Sequence, residues 1–177
     1  MGLLDYKKAR ERYKNDKFMS QIIAGLEDMD RYHLLRSPSV NSSIFELPDT
    51  AEEFKKWLSV CDGGLLFSTT LLGLDEYDEE LEISFSTLSE WNTKQKRELL
   101  GLPKGYVVIA ILNYGDSICL SPSDSKVYLW DSSEMAFTTV WDSFADFLAD
   151  EYNTAIQMVE DDALEPVPMK MEEQDGK

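Results

Sequence analysis

The spacing of hydrophobic residues predicts helix in the first part of the chain. Apolar side chains recur every three or four residues from Phe18 to Met29, so we expect a helix over residues 3–36, with a solvated basic first half. Residues 36–45 (RSPSVNSSIF) have the composition of a loop.

A second helix is predicted in the segment ELPDTAEEFKKWLSVCDGG. One apolar face is formed by Phe54, Trp57, Leu58 and Cys61. Thr50 and Glu53 have the spacing of a capping box at its start. We expect Gly63-Gly64 to end the helix, because glycine enters the left-handed conformation without a steric penalty.

Short apolar runs and period-two alternation predict a sheet in the second half of the chain. Residues 65–74 are predicted as a strand and a bend, and residues 81–85 as a half-buried strand. A short helix is expected next, capped by Thr87 with Glu90 and ended by Gly101. Four further strands are expected at residues 107–112, 117–120, 126–130 and 136–140. The connections between them are short, which favours an antiparallel meander.

The last part of the chain predicts one amphipathic helix and a tail. Ser143 with Asp146 has capping-box spacing, and the buried stripe consists of Trp141, Phe144, Phe147, Leu148 and Tyr152. We expect an α+β fold, with helices packed on one antiparallel, meander-like sheet. A single domain is predicted over residues 1–159, of which residues 1–17 form a basic helical extension. Residues 160–177 are predicted to be an acidic flexible tail.

The charge of the chain is strongly asymmetric. Its 177 residues carry a net charge of −17, whereas residues 1–17 have a net charge of +3, which leaves about −20 on the remainder. Such a body repels nucleic acid and attracts a basic protein. Acidity that only keeps the protein soluble is the alternative. Signal-peptide and membrane-spanning patterns are missing, so we expect a cytoplasmic protein without a membrane partner, and a monomer is favoured.

The sequence offers little for catalysis or cofactor binding. Its single histidine, His33, excludes sites built from several histidines and is expected at an exposed helix end. Cys61 and Cys119 lie among apolar residues and are expected to be reduced core residues. The acidic segments 75–82 and 131–142 fail the calcium-loop pattern. We therefore expect no catalytic residue, no cofactor and no metal, although a carboxylate pair for glycoside hydrolysis stays open.

Two aspartates lie beside glycines. Asp116 in NYGD is either a turn residue or a candidate general base, and Asp62 in CDGG belongs either to a helix end or to a ligand site. Asn113 and Gly115 tolerate the positive φ of a tight hairpin, and Asp116 can hydrogen-bond to its own backbone two residues on. We favour a turn at NYGD and a helix end at CDGG.

Several motifs follow one another in a fixed order: a W-containing helix, D-G-G, G-D between two core strands, V-Y-L-W-D and S-F-A-D-F-L. Their positions are Trp57, Asp62, Gly63, Gly64, Gly115, Asp116, Tyr128, Trp130, Asp131, Phe144 and Phe147. This order resembles the SUKH superfamily, which includes a yeast cell-wall regulator and many bacterial immunity proteins. The resemblance covers roughly residues 20–152. Asp62 stands where the family usually has asparagine, and the acidic segment 75–90 is longer than usual.

The resemblance implies an α+β fold without catalytic activity. In bacteria it implies binding and neutralising a toxin domain, often a nuclease, and in fungi scaffolding. The first hypothesis is therefore an immunity protein for a cognate, basic, nuclease-type toxin domain. The second is a regulatory or scaffold module, whose acidic tail or basic N-terminal segment binds a different partner.

For the first hypothesis, the candidate contact cluster is Asp75, Glu76, Tyr77, Asp78, Glu79 and Glu80, with Tyr77 as an aromatic anchor. A solvated acidic loop without a partner is the alternative for this cluster.

Overall fold

The computed structural model describes residues 2–39 and 45–170, and it confirms an α+β fold built on an antiparallel sheet. The helices are α1 Tyr6–Arg12, α2 Lys17–Asp28, α3 Glu52–Leu58, α4 Leu88–Trp91, α5 Lys94–Leu100 and α6 Phe144–Glu160. The strands are β1 Leu34–Leu35, β2 Gly64–Leu66, β3 Thr69–Leu71, β4 Tyr77–Asp78, β5 Ile83–Ser84, β6 Val107–Leu112, β7 Ser117–Leu120, β8 Val127–Asp131 and β9 Ala136–Trp141. A 3-10 turn at Asp30–Tyr32 precedes β1.

Seven strands form one sheet in the order β1-β2-β3-β6-β7-β8-β9, and neighbouring strands are antiparallel. The predicted meander, β6 to β9, is confirmed to within one residue at each end. Residues 65–74 differ from the prediction, because they contain two paired strands, β2 and β3, with Phe67 at positive φ between them. Strands β4 and β5 form a separate hairpin.

Helices cover both faces of the sheet. Trp141 of β9 packs edge-to-face on Phe147 of α6, with ring centroids 5.2 Å apart. Trp130 of β8 donates from Nε1 to the carbonyl oxygen of Leu100, at the end of α5, over 2.8 Å. Trp141 pairs with Val127, so these two side chains point to the same face of the sheet. Trp130 lies three residues after Val127 on β8, and side chains alternate along a strand, so Trp130 points to the opposite face. The hydrophobic core therefore has one layer on each side of the sheet.

The prediction of one helix over residues 3–36 is wrong. Asp16 caps a new helix, α2, by accepting from a backbone amide of its first turn over 3.0 Å, so the chain changes direction between α1 and α2. Tyr13 is buried, and the amide of Leu4 donates to the carbonyl oxygen of Leu35 over 2.9 Å. Residues 2–17 therefore pack against the body and do not extend from it.

The helix around residue 55 is confirmed as α3, but the predicted capping box is wrong. Thr50 donates its hydroxyl to the carbonyl oxygen of Ser121 over 2.8 Å. Glu53 accepts from the backbone amides of Phe144 and Ala145, over 3.3 and 3.2 Å. A carboxylate at the positive end of a helix is stabilising, and here it ties α3 to the start of α6.

The caps of the later helices follow the local sequence. Ser143 begins α6 by accepting from the amide of Asp146 over 3.0 Å, as predicted. Thr87 caps α4, also as predicted. The helix expected after Thr87 is nevertheless two helices, because Thr93 caps α5 separately. Gly101, at φ 63°, ends α5.

Residues 161–170 pack back onto the body, in contrast to the flexible tail predicted from residue 160. The amide of Val167 donates to the carbonyl oxygen of Arg31 over 2.8 Å. Lys170 is buried and donates from Nζ to Asp30 over 2.9 Å. Residues 171–177 of the predicted tail, and residues 40–44 of the predicted loop, lie outside the described residues.

Candidate functional site

The acidic segment forms a small hairpin, in which Tyr77 of β4 pairs with Ser84 of β5. We call residues 75–84 the acidic hairpin; they contain six acids and no base. The side chain of Tyr77 is 53% exposed. The acids at its exposed positions are Glu76, Glu79, Glu80 and Glu82. The hairpin therefore presents several carboxylates and one aromatic ring on the surface.

Asp78 has to be removed from the predicted contact cluster because it is fully buried. Its Oδ1 accepts from the amides of Glu80 and Leu81, over 3.0 and 3.1 Å. Its Oδ2 accepts from the amide of Gly2 over 3.2 Å. Asp78 therefore closes the turn of the acidic hairpin and attaches it to the start of the chain. A strand of alternating acids does not reveal from sequence which carboxylate points inward.

A buried ion pair lies beneath the acidic hairpin. Arg36 Nη2 is 3.3 Å from Asp62 Oδ2, and both side chains are at most 1% exposed. Asp62 also accepts from the amides of Leu74 and Asp75, over 2.6 and 3.2 Å. Arg36 donates to the carbonyl oxygens of Asp62 and Asp75, over 3.1 and 2.7 Å, and lies 4.0 Å above the ring of Phe85. The pair thus contacts the chain at both ends of the hairpin.

The charge state of Asp62 follows from its partners. Burial raises the pKa of this carboxyl, while the amide of Leu74 and the guanidinium of Arg36 lower it without cancelling the rise. The Asp62 carboxylate contacts three donors, which are the backbone amides of Leu74 and Asp75 and the guanidinium of Arg36. Because an ionised carboxylate accepts from all three, we assign the ionised form at neutral pH.

Sequence reasoning missed Arg36. It ends the stretch RYHLLR, and its pattern there is that of an ordinary basic residue before a loop. Its role depends on Asp62 and Phe85, which lie far along the chain. The two apolar residues before it were the only local sign that the chain enters the core at this point.

The predicted helix end at Gly63-Gly64 is wrong, because α3 ends earlier, at Leu58. Both glycines have positive φ, at 76° and 121°. A Cβ on Gly64 would collide with the carbonyl oxygen of Leu34, and one on Gly63 would lie 2.7 Å from that of Leu71. The glycines therefore allow β2 and its approach to lie close to neighbouring backbone.

The turn between β6 and β7 is confirmed at Gly115-Asp116. The amide of Gly115, at φ 96°, donates to the carbonyl oxygen of Leu112 over 3.0 Å, and the amide of Leu112 donates to the carbonyl oxygen of Asp116 over 2.9 Å. Backbone groups close this turn, where an Asx bond was expected. Burial and the nearby charge of Asp131 raise the pKa of the Asp116 carboxyl.

The remaining motif residues serve the core and one further turn. The buried ones are Trp57, Trp130, Phe144 and Phe147. Tyr128 is half-buried and donates its hydroxyl to Asp124 over 2.7 Å. Asp131 accepts from the amides of Ser133 and Glu134, over 2.9 and 3.1 Å, between β8 and β9. These side chains therefore make their contacts within the body of the protein.

His33 is buried, which corrects the prediction of an exposed helix end. Its Nε2 lies 2.8 Å from the carbonyl oxygen of Leu26 and 2.9 Å from the hydroxyl of Tyr6. Burial is the main cause that lowers the pKa of His33; Lys170 lowers it further, while the Leu26 carbonyl and Asp30 oppose the change. The ring is therefore neutral at pH 7.

Both cysteines are free and buried, as predicted. Burial raises the pKa of Cys61 and of Cys119 to about 12, so both thiols stay protonated at neutral pH. A protonated, enclosed thiol is a poor nucleophile.

Within residues 2–39 and 45–170, no three side chains of His, Cys, Asp or Glu are grouped as a metal site requires. No helix in this same part of the chain is long and apolar enough to cross a membrane.

The model of the SMI1 / KNR4 family (SUKH-1) matches residues 46–150. No curated protein and no solved structure matches the chain. The matched residues include Asp62, the whole acidic hairpin and the meander, whereas Arg36 lies before them.

Proposed function

The chain belongs to the SMI1 / KNR4 family (SUKH-1), and we propose from this premise that it is an immunity protein without catalytic activity. In this proposal it binds a cognate toxin domain, basic and of the nuclease type, and neutralises it. Its place of action is the cytoplasm, and the two unpaired thiols suit a reducing compartment.

The observation that supports the proposal most directly is the acidic hairpin, whose backbone is held in place by buried contacts. Its exposed contact residues are Glu76, Tyr77, Glu79 and Glu80. The ion pair of Arg36 with Asp62 and the turn bonds of Asp78 hold the backbone beneath them. A loop that is already ordered loses less conformational entropy on binding, so its contacts contribute more to affinity.

Charge supports a basic partner. A molecule with a net charge of −17 attracts a cationic domain over a distance, which raises the association rate at low salt. A nuclease domain that binds nucleic acid needs a basic surface, and an acidic inhibitor competes for that surface.

The alternative, a scaffold that binds through its N-terminal segment or its tail, has less support. Helix α1 and the backbone at Val167 both pack against the body, so these parts of the segments are engaged within the chain. The acidic hairpin keeps the side chains of Glu76, Glu79 and Glu82 exposed.

The test is protection of cells from the toxin encoded beside this gene. Co-expression of the wild-type chain should restore growth, and the double variant Glu76→Lys with Glu79→Lys should protect less. Matched reversals at two exposed acids elsewhere, Glu134→Lys with Glu160→Lys, change the net charge equally and should protect fully. If wild type gives no protection, the immunity role is wrong. If the two double variants protect equally well, the acidic hairpin is not the contact.

A further inference from the structure

The two edge strands of the seven-stranded sheet differ in length and in whether another segment of the chain bonds to their outer side. At one edge, β1 is two residues long, and the amide of Leu4 already bonds the carbonyl oxygen of Leu35. At the other edge, β9 has six residues and pairs with β8 alone among the described strands. An edge strand of this length offers a row of unpaired backbone groups to another chain.

The sequence of β9 does little to prevent such pairing. Its six residues, AFTTVW, contain no charge and no proline, which are the common means of blocking an edge. Val140 is 49% exposed, and Thr138 and Thr139 are exposed as well. One protective feature is present, a register shift between β8 and β9 opposite Leu129 and Trp130.

The order of residue types in β9 identifies the partner. Read in either direction, the strand runs apolar, apolar, Thr, Thr, apolar, apolar. We propose that β9 pairs antiparallel with β9 of a second copy of this chain, about a two-fold axis between Thr138 and Thr139. Phe137 then faces Val140 of the second copy, and the threonines face each other, so every position meets its own residue type.

The side-chain geometry agrees with this pairing. The ring of Phe137 lies 5.1 Å from that of Tyr128 and 4.9 Å from that of Trp130, and Val140 pairs with Tyr128. Phe137 and Val140 therefore point to the same face of the sheet. The new pair extends an aromatic layer that already includes Tyr106, whose ring is 4.7 Å from that of Phe137.

Electrostatics decides how strong this dimer is. The strand carries no charge, and beside it Lys126 and Asp142 lie 3.8 Å apart within one copy. Two bodies of −17 nevertheless repel each other, and one added strand pair is a small interface of the kind below about 1,200 Å². The dimer is therefore weak and is strengthened by salt. This proposal replaces the monomer expected from the sequence.

Sedimentation equilibrium of the full chain tests the proposal, over about 5 to 200 µM protein and at about 0.1 and 0.5 M salt. The average mass of wild type should rise with concentration from 20.3 kDa toward twice that value, and more steeply at the higher salt. Val140→Lys places a charge against Phe137 of the second copy, and Thr138→Lys, made separately, places one against Thr139 of the second copy. Each should weaken the dimer at least about tenfold while circular dichroism stays unchanged.

The control is Leu99→Lys, the same type of change at a side chain that is 80% exposed on α5, away from β9. It should dimerise as wild type does. Wild type that stays at 20.3 kDa throughout overturns the proposal. So does a dimer that both β9 variants leave intact. The acidic-hairpin double variant should still dimerise, so this result is independent of toxin binding.

Discussion

Replacing Arg36 with methionine should destabilise the protein far more than a surface change of the same kind. Methionine keeps much of the side-chain volume of Arg36, but it removes the counter-ion of Asp62. The Asp62 carboxylate, which is only 1% exposed, is then buried without a positive partner. It also removes the donors to the carbonyl oxygens of Asp62 and Asp75. Breaking a buried ion pair on one side costs about 3–5 kcal/mol, a large fraction of typical total stability.

Urea unfolding, followed by tryptophan fluorescence, measures this cost. Arg10→Met is the matched control, because Arg10 is 46% exposed and pairs with Glu27 on the surface; it should cost less than about 1 kcal/mol. Hydrogen exchange should also become faster for the amides of the acidic hairpin in Arg36→Met, since the ion pair holds both of its ends.

A double-mutant cycle isolates the pair itself. Asp62→Asn keeps an acceptor for the amide of Leu74 and removes the charge, so it should cost about 1–3 kcal/mol. Combined with Arg36→Met it relieves the unpaired carboxylate. The double variant should therefore be more stable than the two single costs predict, by about 1–3 kcal/mol. If the two costs are additive, or if Arg36→Met costs no more than Arg10→Met, the ion pair of Arg36 with Asp62 does not hold the acidic hairpin in place.

Three further predictions follow from single contacts. Glu53→Ala should lower the free energy of unfolding by about 1–2 kcal/mol in urea, because it removes the acceptor for two first-turn amides of α6. Glu52→Ala, at an exposed position, should cost under about 0.5 kcal/mol. Burial holds the pKa of His33 below its ordinary value of 6.5, so the unfolded chain binds a proton at a higher pH than the folded chain does. The free energy of unfolding should therefore fall as the pH drops below 6.5, and His33→Gln should make this pH dependence shallower. Gly64→Ala should lower the melting temperature more than Gly115→Ala, because a Cβ at 64 meets backbone and one at 115 meets open space, and equal shifts would contradict this.

Local patterns were sufficient for the meander and the last helix. The run VVIAIL, the turn at NYGD and the cap at Ser143 each depend on residues within a few positions, so the sequence predicts them to within a residue. The prediction of one long N-terminal helix failed because its apolar stripe, from Phe18 to Met29, begins after the break between α1 and α2. Asp16, a good N-cap residue, was the signal that could have revealed it.

The candidate site depends on contacts that local sequence does not contain. The acidity of residues 75–82 indicated an acidic contact cluster, but the hairpin of β4 with β5 was not predicted. The buried carboxylate of Asp78 bonds to Gly2, and Arg36 forms an ion pair with Asp62, which lies 26 residues further along the chain. Likewise, Glu53 serves a helix about ninety residues further along. A capping or charge rule assigns the nearest partner, and in these cases the fold supplies a distant one.

The most direct test of the central claim is the salt dependence of association with the toxin encoded beside this gene. Association rates should be measured by stopped-flow at several ionic strengths, for wild type and for Glu76→Lys with Glu79→Lys. The wild-type rate should fall steeply as salt rises, and the variant should bind more slowly with a shallower slope. Identical slopes for the two proteins would contradict the account, because the acidic hairpin would then take no part in capturing the partner.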